Sequence, residues 1–218
     1  MEKLLHIIAA PRGEDSRTLK ISRAFMDAFR GKHPSCRIDE LNVFTEHLPL
    51  LTVPVLDGKY ALLGGKELAG DLQSAWRDVV RHIERFLSAD GYLISTPMWN
   101  FSIPYALKHY IDVIVQPKYL FRYTADGVEG LVKNRKMVVI ASRGGDYRPG
   151  SPFHSYDFQE PYLRAVFGFV GITDITFVVA QPMDASGPAV MNGEIKNATA
   201  IARNIADSFG EPHRALDK

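Results

Sequence analysis

Short, continuous apolar runs alternate along the chain with longer stretches in which apolar residues recur at helical spacing. Leu4 to Ala10 is apolar almost throughout, the pattern of a strand covered on both faces. Pro11-Arg12-Gly13-Glu14-Asp15 breaks the run. Ser16 is then placed to cap a helix reaching about Gly31, with Leu19, Ala24, Phe25 and Phe29 on its inner side. A second strand is predicted over Cys36–Asn42, a helix over Ala69–Leu87 and a third strand over Gly91–Thr96. Pro104 can open the next helix, where Leu107, Tyr110, Ile111 and Ile114 share a face. Lys136–Ala141 and Ile175–Ala180 read as the fourth and fifth strands, and Gln159–Phe169 and Pro188–Phe209 as the last two helices.

Residues 44–66 carry Pro49, Pro54, Gly58, Gly64 and Gly65 and read as an irregular excursion, the kind usually tied to function or an interface. No internal repeat or low-complexity segment is present. Five strand–helix units predict an α/β fold: a doubly wound five-stranded parallel sheet with helices on both faces. The length suits a single domain over residues 1–218. In such sheets a ligand sits beyond the carboxyl ends of the strands. That rule selects the loops at 11–18, 97–103 and 142–147.

Composition narrows the function classes. A net charge of +1 favours neither a nucleic-acid nor a membrane partner. No apolar run approaches the roughly 18–20 residues of a membrane span, and the first residues lack a signal peptide's apolar core. With Cys36 as the lone cysteine, neither a disulfide framework nor a cysteine-rich metal site is expected, and a cytoplasmic location follows as the default. The histidines show no metal-ligand spacing and read as surface or structural residues. Among them, His109 on the helix after the second loop is weighed as a proton donor and ranked below a structural role.

The three loops carry the candidate chemistry. The first holds Arg12, Ser16, Arg17 and Thr18 at a helix start, uniting cationic side chains, hydroxyls and free N–H groups as a phosphate requires. It matches neither a P-loop nor a dinucleotide-binding glycine pattern, and on its own a plain serine-capped turn accounts for it better. The second, Pro97-Met98-Trp99-Asn100-Phe101-Ser102-Ile103-Pro104, concentrates aromatic and sulfur surface stiffened by proline. It suits a flat, largely apolar ring with a hydrogen-bonding edge. The third, Ser142-Arg143-Gly144-Gly145-Asp146-Tyr147, lets a glycine backbone approach a ligand closely.

Pro97 to Pro104 continuing through Leu107-Lys108-His109-Tyr110-Ile111-Asp112 resembles the signature of the FMN-dependent NADH-azoreductase family, related to NAD(P)H:quinone oxidoreductases. So do Phe121-Arg122-Tyr123-Thr124, Gly127 to Leu131, Ser142-Arg143-Gly144-Gly145, Pro161-Tyr162-Leu163 and Phe167 to Ile172. The resemblance spans about Leu4 to Ala180 and implies a flavodoxin-like fold with tightly bound FMN. It implies reduction of quinones and azo compounds by NADH or NADPH, through ping-pong two-electron transfer on the flavin. By the same resemblance Ser16, Arg17 and Thr18 hold the FMN phosphate, with Arg12 or backbone groups compensating for Ala10, where the family often has serine. Pro97, Met98, Trp99, Asn100 and Phe101 line the isoalloxazine, and Ser142, Arg143, Gly144 and Gly145 meet its other edge. A homodimer is implied, with Phe121 and Tyr123 reaching the partner's flavin and Tyr147 and Phe169 bordering the substrate pocket. Trp99 stands where tyrosine is commoner, which bears on substrate preference. Three other readings remain open: a flavodoxin-type electron carrier, another NAD(P)H-dependent FMN reductase, and a ligand-sensing regulatory protein.

Overall fold

The structure is a computed structural model that describes residues 1–210. In chain order it contains β1 (Lys3–Ile8), α1 (Arg17–Lys32), β2 (Arg37–Asn42), α2 (Val53–Leu63), α3 (Gly70–Leu87), β3 (Gly91–Pro97) and α4 (Tyr105–Ile114). There follow β4 (Phe121–Thr124), β5 (Gly127–Gly130), β6 (Lys136–Ser142), α5 (Glu160–Phe169), β7 (Asp174–Ala180) and α6 (Gly187–Phe209). Five strands form one parallel sheet in the order β2-β1-β3-β6-β7, and β4 and β5 pair separately as an antiparallel hairpin.

Side-chain alternation along each strand divides the core. Leu4 and Leu93 face α1 and α6, where they meet Phe25, Phe29, Ala202 and Phe209. Leu5, Ile7, Tyr92 and Ile94 face the opposite way and pack with Val79, Phe86, Leu107, Ile111 and Phe167 from α3, α4 and α5. Burying both sheet faces is what makes β1, β3 and β6 read as unbroken apolar runs. From β1 the chain winds outward to β2, then returns past β1 to β3. The connections leaving β1 and β3 therefore diverge onto opposite faces, and a crevice opens between them at the carboxyl ends.

The excursion over residues 44–66 is only partly irregular, because α2 lies inside it. Its proline and glycine were read as breakers, and each has another role. Pro54 sits in the first turn, where a missing N–H costs nothing. Gly58 makes room for Trp76: a Cβ there would stand 2.1 Å from the indole Nε1. That nitrogen donates to the Val55 carbonyl at 2.8 Å, so glycine lets the indole press against the helix backbone. His109 is likewise structural, with Nε2 2.9 Å from the Pro49 carbonyl, tying α4 to the segment before α2.

The hairpin of β4 and β5 was not foreseen. Each strand is only four residues long, too short for alternation to register. It docks through Gly130, where a Cβ would lie 2.4 Å from the Gly171 backbone nitrogen. No helix among the described residues is long and apolar enough to cross a membrane.

Candidate active site

The crevice is a cavity of about 270 Å³ bordered by Ala10–Arg12, Ser16–Thr18, Pro97–Trp99, Ser142–Gly144 and Met183–Asp184. Its base is the start of α1. Ser16 is extended, and its Oγ accepts from the Leu19 N–H at 3.2 Å, capping the helix. The Arg17 and Thr18 N–H groups belong to the first turn and have no intrahelical acceptor. Together with the positive end of the helix dipole they form an anion cradle at the cavity floor. Thr18 Oγ1 lies 2.7 Å from Ser142 Oγ, which joins the first loop to the third.

The second loop is a tight reversal. Trp99 and Ser102 exchange both backbone hydrogen bonds at 2.9 Å, and the residues between them have positive φ: 45° at Asn100 and 70° at Phe101. Asparagine tolerates that region, whereas for phenylalanine it is a strained choice. The turn projects Trp99 and Phe101 outward, 37% and 42% exposed; Trp99 borders the crevice, whereas Phe101, expected beside it, does not line it. Trp99 leans on Phe44 and Tyr105. Phe101 meets Tyr147 and Tyr156 at 6.5 and 5.3 Å.

Arg143 holds the second and third loops in register. Its side chain is 2% exposed, and it binds Asp157 Oδ2 at 2.8 Å and Gln159 Oε1 at 3.0 Å. Gln159 in turn donates to the Pro97 carbonyl at 2.9 Å, and the Met98 N–H donates to the Ser142 carbonyl at 2.9 Å. The Arg143 guanidinium is thus a strut behind the cavity.

Of the residues expected at the site, Arg12, Ser16, Arg17, Thr18, Pro97, Met98, Trp99, Ser142, Arg143 and Gly144 converge on the cavity. Asn100 opens instead onto a neighbouring groove with Tyr105, Lys108 and Tyr162. Gly145 backs onto the Tyr147 ring, 3.4 Å from where its Cβ would be. The four expected substrate contacts divide into two groups. Tyr147 stands with Phe101 and Phe153, while Phe121, Tyr123 and Phe169 cluster beside the hairpin, with Phe121 buried.

Sequence reasoning missed Met183 and Asp184, in the loop after β7. Asp184 Oδ1 pairs with Arg17 Nη1 at 2.5 Å, and its N–H donates to the Gly144 carbonyl at 3.0 Å. The rule that picked the other three loops also covers this one, since it leaves a strand at the same end of the sheet. Asp157 and Gln159 were missed as well. The available signal was a carboxylate before a helix start: Asp157 Oδ1 accepts from the N–H groups of Gln159 and Glu160. No cluster of side chains suited to a metal ion occurs among the described residues.

A five-stranded parallel sheet with an anion cradle at one helix start and an aromatic, proline-stiffened wall beside it defines the flavodoxin-like class. The family described as "Flavodoxin-like fold" matches residues 2–205, and the chain belongs to it. An FMN-dependent NADH:quinone oxidoreductase of Nitratidesulfovibrio vulgaris is 39% identical over 209 residues, 96% of this chain and 100% of that protein. Another, from Ruegeria pomeroyi, is 43% identical over 188 residues, 84% of this chain and 90% of that protein. Among solved structures, an FMN-dependent NADH-azoreductase from Bacillus anthracis in complex with FMN superposes with a TM-score of 0.82 at 30% identity. That match covers 94% of this chain and 100% of the azoreductase.

Proposed function

We propose that this protein is an FMN-dependent NADH:quinone oxidoreductase that also cleaves azo compounds reductively. The observation that carries the reading is the cavity itself: an anion cradle at the α1 start set next to the Pro97–Trp99 wall. A phosphate and a flat ring are the two ends of FMN. The relatives that match over nearly the whole chain are named as oxidoreductases, which favours an enzyme over a one-electron carrier or a sensor.

The residues present fit FMN. The Arg17 and Thr18 N–H groups and the Ser16 hydroxyl would hold the phosphate, with the Arg17 and Arg12 guanidiniums at the rim. Met98 and Trp99 would cover the ring and exclude water from it, and the backbone at Gly144 and Gly145 would offer N–H groups to its polar edge. When bound, FMN supplies reversible two-electron chemistry. NADH and the quinone would use the same place beside the exposed Trp99 in turn. Ping-pong kinetics follow, with no side chain required as a nucleophile.

The chain is read as one domain, a homodimer and a cytoplasmic protein. For the dimer the support is surface chemistry: Leu50, Val53 and Tyr60 are 73, 70 and 69% exposed around α2, and Tyr123 is 65% exposed on the hairpin. Apolar surface of that extent favours burial against a second copy, whose exposed Tyr123 would approach the opposite cavity, with the buried Phe121 supporting it from behind. Phe169, packed on Phe121, and Tyr147, beside Phe101, are assigned to the substrate side. The buried lone Cys36 accords with a reducing compartment. Mass spectrometry of the ligand released by heat tests the central assignment: FMN is expected in equimolar amount, and FAD, or no flavin after reconstitution, would refute it.

A further inference from the structure

Behind the anion cradle runs a chain of buried polar groups, His6, Ser95 and Ser22, that do not line the cavity. His6 on β1 places Nε2 2.7 Å from Ser95 Oγ on β3. Ser95 Oγ is 2.7 Å from Ser22 Oγ on α1, and Ser22 Oγ donates to the Thr18 carbonyl at 3.1 Å. The same peptide unit presents its other end, the Leu19 N–H, to Ser16 Oγ at 3.2 Å. His6, Ser22 and Ser95 are 4, 1 and 0% exposed, in a layer otherwise built of Leu4, Ile21, Phe25 and Leu93. Three polar side chains in such a layer are costly unless their bonds serve a purpose.

Proton counting fixes the direction of the chain. A hydroxyl has one hydrogen. Ser22 spends its own on the Thr18 carbonyl, so in its contact with Ser95 it accepts. Ser95 therefore donates to Ser22 and must accept from His6, which places the imidazole proton on Nε2. Burial, with Arg30 adding to it, lowers the His6 pKa to about 3, so the ring is neutral and Nδ1 is an acceptor. Nδ1 has no partner. Every donor thus points from β1 toward the start of α1, and Ser16 Oγ is an acceptor inside the chain. Its own proton is left over, on a residue that lines the cavity.

We propose that His6, Ser95 and Ser22 are positioning residues: a proton-ordered relay that turns the Ser16 hydroxyl into a donor aimed at the cofactor phosphate. The inference rests on the FMN reading above. Hydrogen bonds in series polarise one another, so each link strengthens the last donor. The bond between the Thr18 carbonyl and Ser22 also fixes the peptide whose N–H orients Ser16. Nothing in the relay touches the ring end of the cavity, so its effect falls on the phosphate alone.

The test compares FMN with riboflavin, which has the ring but no phosphate. FMN release from the full-length holoprotein on dilution, read by flavin fluorescence, gives one affinity. Riboflavin binding to the same chain after stripping gives the other, and the ³¹P resonance of bound FMN reports the donor directly. Ser95→Ala and His6→Val are expected to weaken FMN binding about three- to tenfold, move the resonance and leave riboflavin within about twofold. His6→Gln keeps an N–H donor and is expected to retain both FMN affinity and resonance. FMN and riboflavin affinities falling together, or FMN affinity unchanged in folded Ser95→Ala, would overturn the relay. Ser95→Ala removes one oxygen only and decides the matter if His6→Val fails to fold. A wild-type chain that bound no FMN would instead refute the cofactor reading, and inorganic phosphate titrated against the same variants would then judge the relay separately.

Discussion

Two tasks, one observed and one proposed, meet at Ser16, and substitution can separate them. Its Oγ caps α1 through the Leu19 N–H at 3.2 Å, and on the proposed reading its own proton is donated to the cofactor phosphate. Replacing an N-cap serine by alanine costs about 1 kcal/mol, whereas glycine costs only a few tenths, because glycine leaves the N–H groups open to water. In a chain of this size 1 kcal/mol corresponds to a melting shift of roughly 2–4 °C. A hydrogen bond to a charged phosphate is worth roughly 1.5–3 kcal/mol, or about tenfold to a hundredfold in affinity. Ser16→Ala should therefore lower both the Tm of the cofactor-free chain and the FMN affinity. Ser16→Gly should leave Tm nearly unchanged and lose FMN affinity to the same degree. Thermal unfolding followed by circular dichroism and FMN titration by fluorescence quenching measure the two quantities. If Ser16→Gly kept wild-type FMN affinity, the hydroxyl would be a helix cap only and the phosphate assignment would fail.

Asp184 places a carboxylate on the rim of the cavity, paired with Arg17. Asp184→Asn is expected to tighten FMN binding about threefold at low salt, with the gain shrinking as salt screens the phosphate; weaker binding on titration would contradict this. Gly58→Ala forces a methyl to within 2.1 Å of Trp76 Nε1 and displaces its bond to Val55, a loss of about 3 kcal/mol or more, so Tm should fall by roughly 6–12 °C in a thermal melt. His6 is depressed to about pH 3 by burial first and Arg30 second. Unfolding raises its pKa toward the ordinary 6.5, so the unfolded chain binds the extra proton between those values and stability falls as pH drops below about 6.5. Urea unfolding of wild type and His6→Gln across that range should show the variant losing up to about 1.4 kcal/mol per pH unit less; identical pH profiles would refute the burial argument.

The central sheet was legible because β1, β3 and β6 are covered on both faces and so read as continuous apolar runs. The strand–helix alternation then selected three loops at one end of the sheet, and ten of the residues that the family resemblance named in them line the cavity. What stayed hidden depends on tertiary contact. Gly58 reads as a break until Trp76 is seen to occupy the missing Cβ. Arg143 reads as one of the residues meeting the ring's edge until Asp157 and Gln159 are seen to hold its guanidinium. His6 sits in an apolar run with nothing local to mark it, because its partners lie on β3 and α1. Asp184 follows a strand whose exit loop carries no glycine pair or hydroxyl cluster of the kind that marked the other loops. The span 1–218 also includes residues 211–218, which lie outside those described.

Two-electron transfer through one shared pocket is the central step of the proposed function. Its most direct test is anaerobic stopped-flow absorbance of the FMN-loaded protein, mixed first with NADH and then with a quinone. NADH should bleach the flavin band fully without quinone present, and the quinone should restore it after the nicotinamide has left, with parallel double-reciprocal lines in steady state. A flavin band that NADH leaves unchanged, or lines that intersect because both substrates must be bound together, would contradict the account.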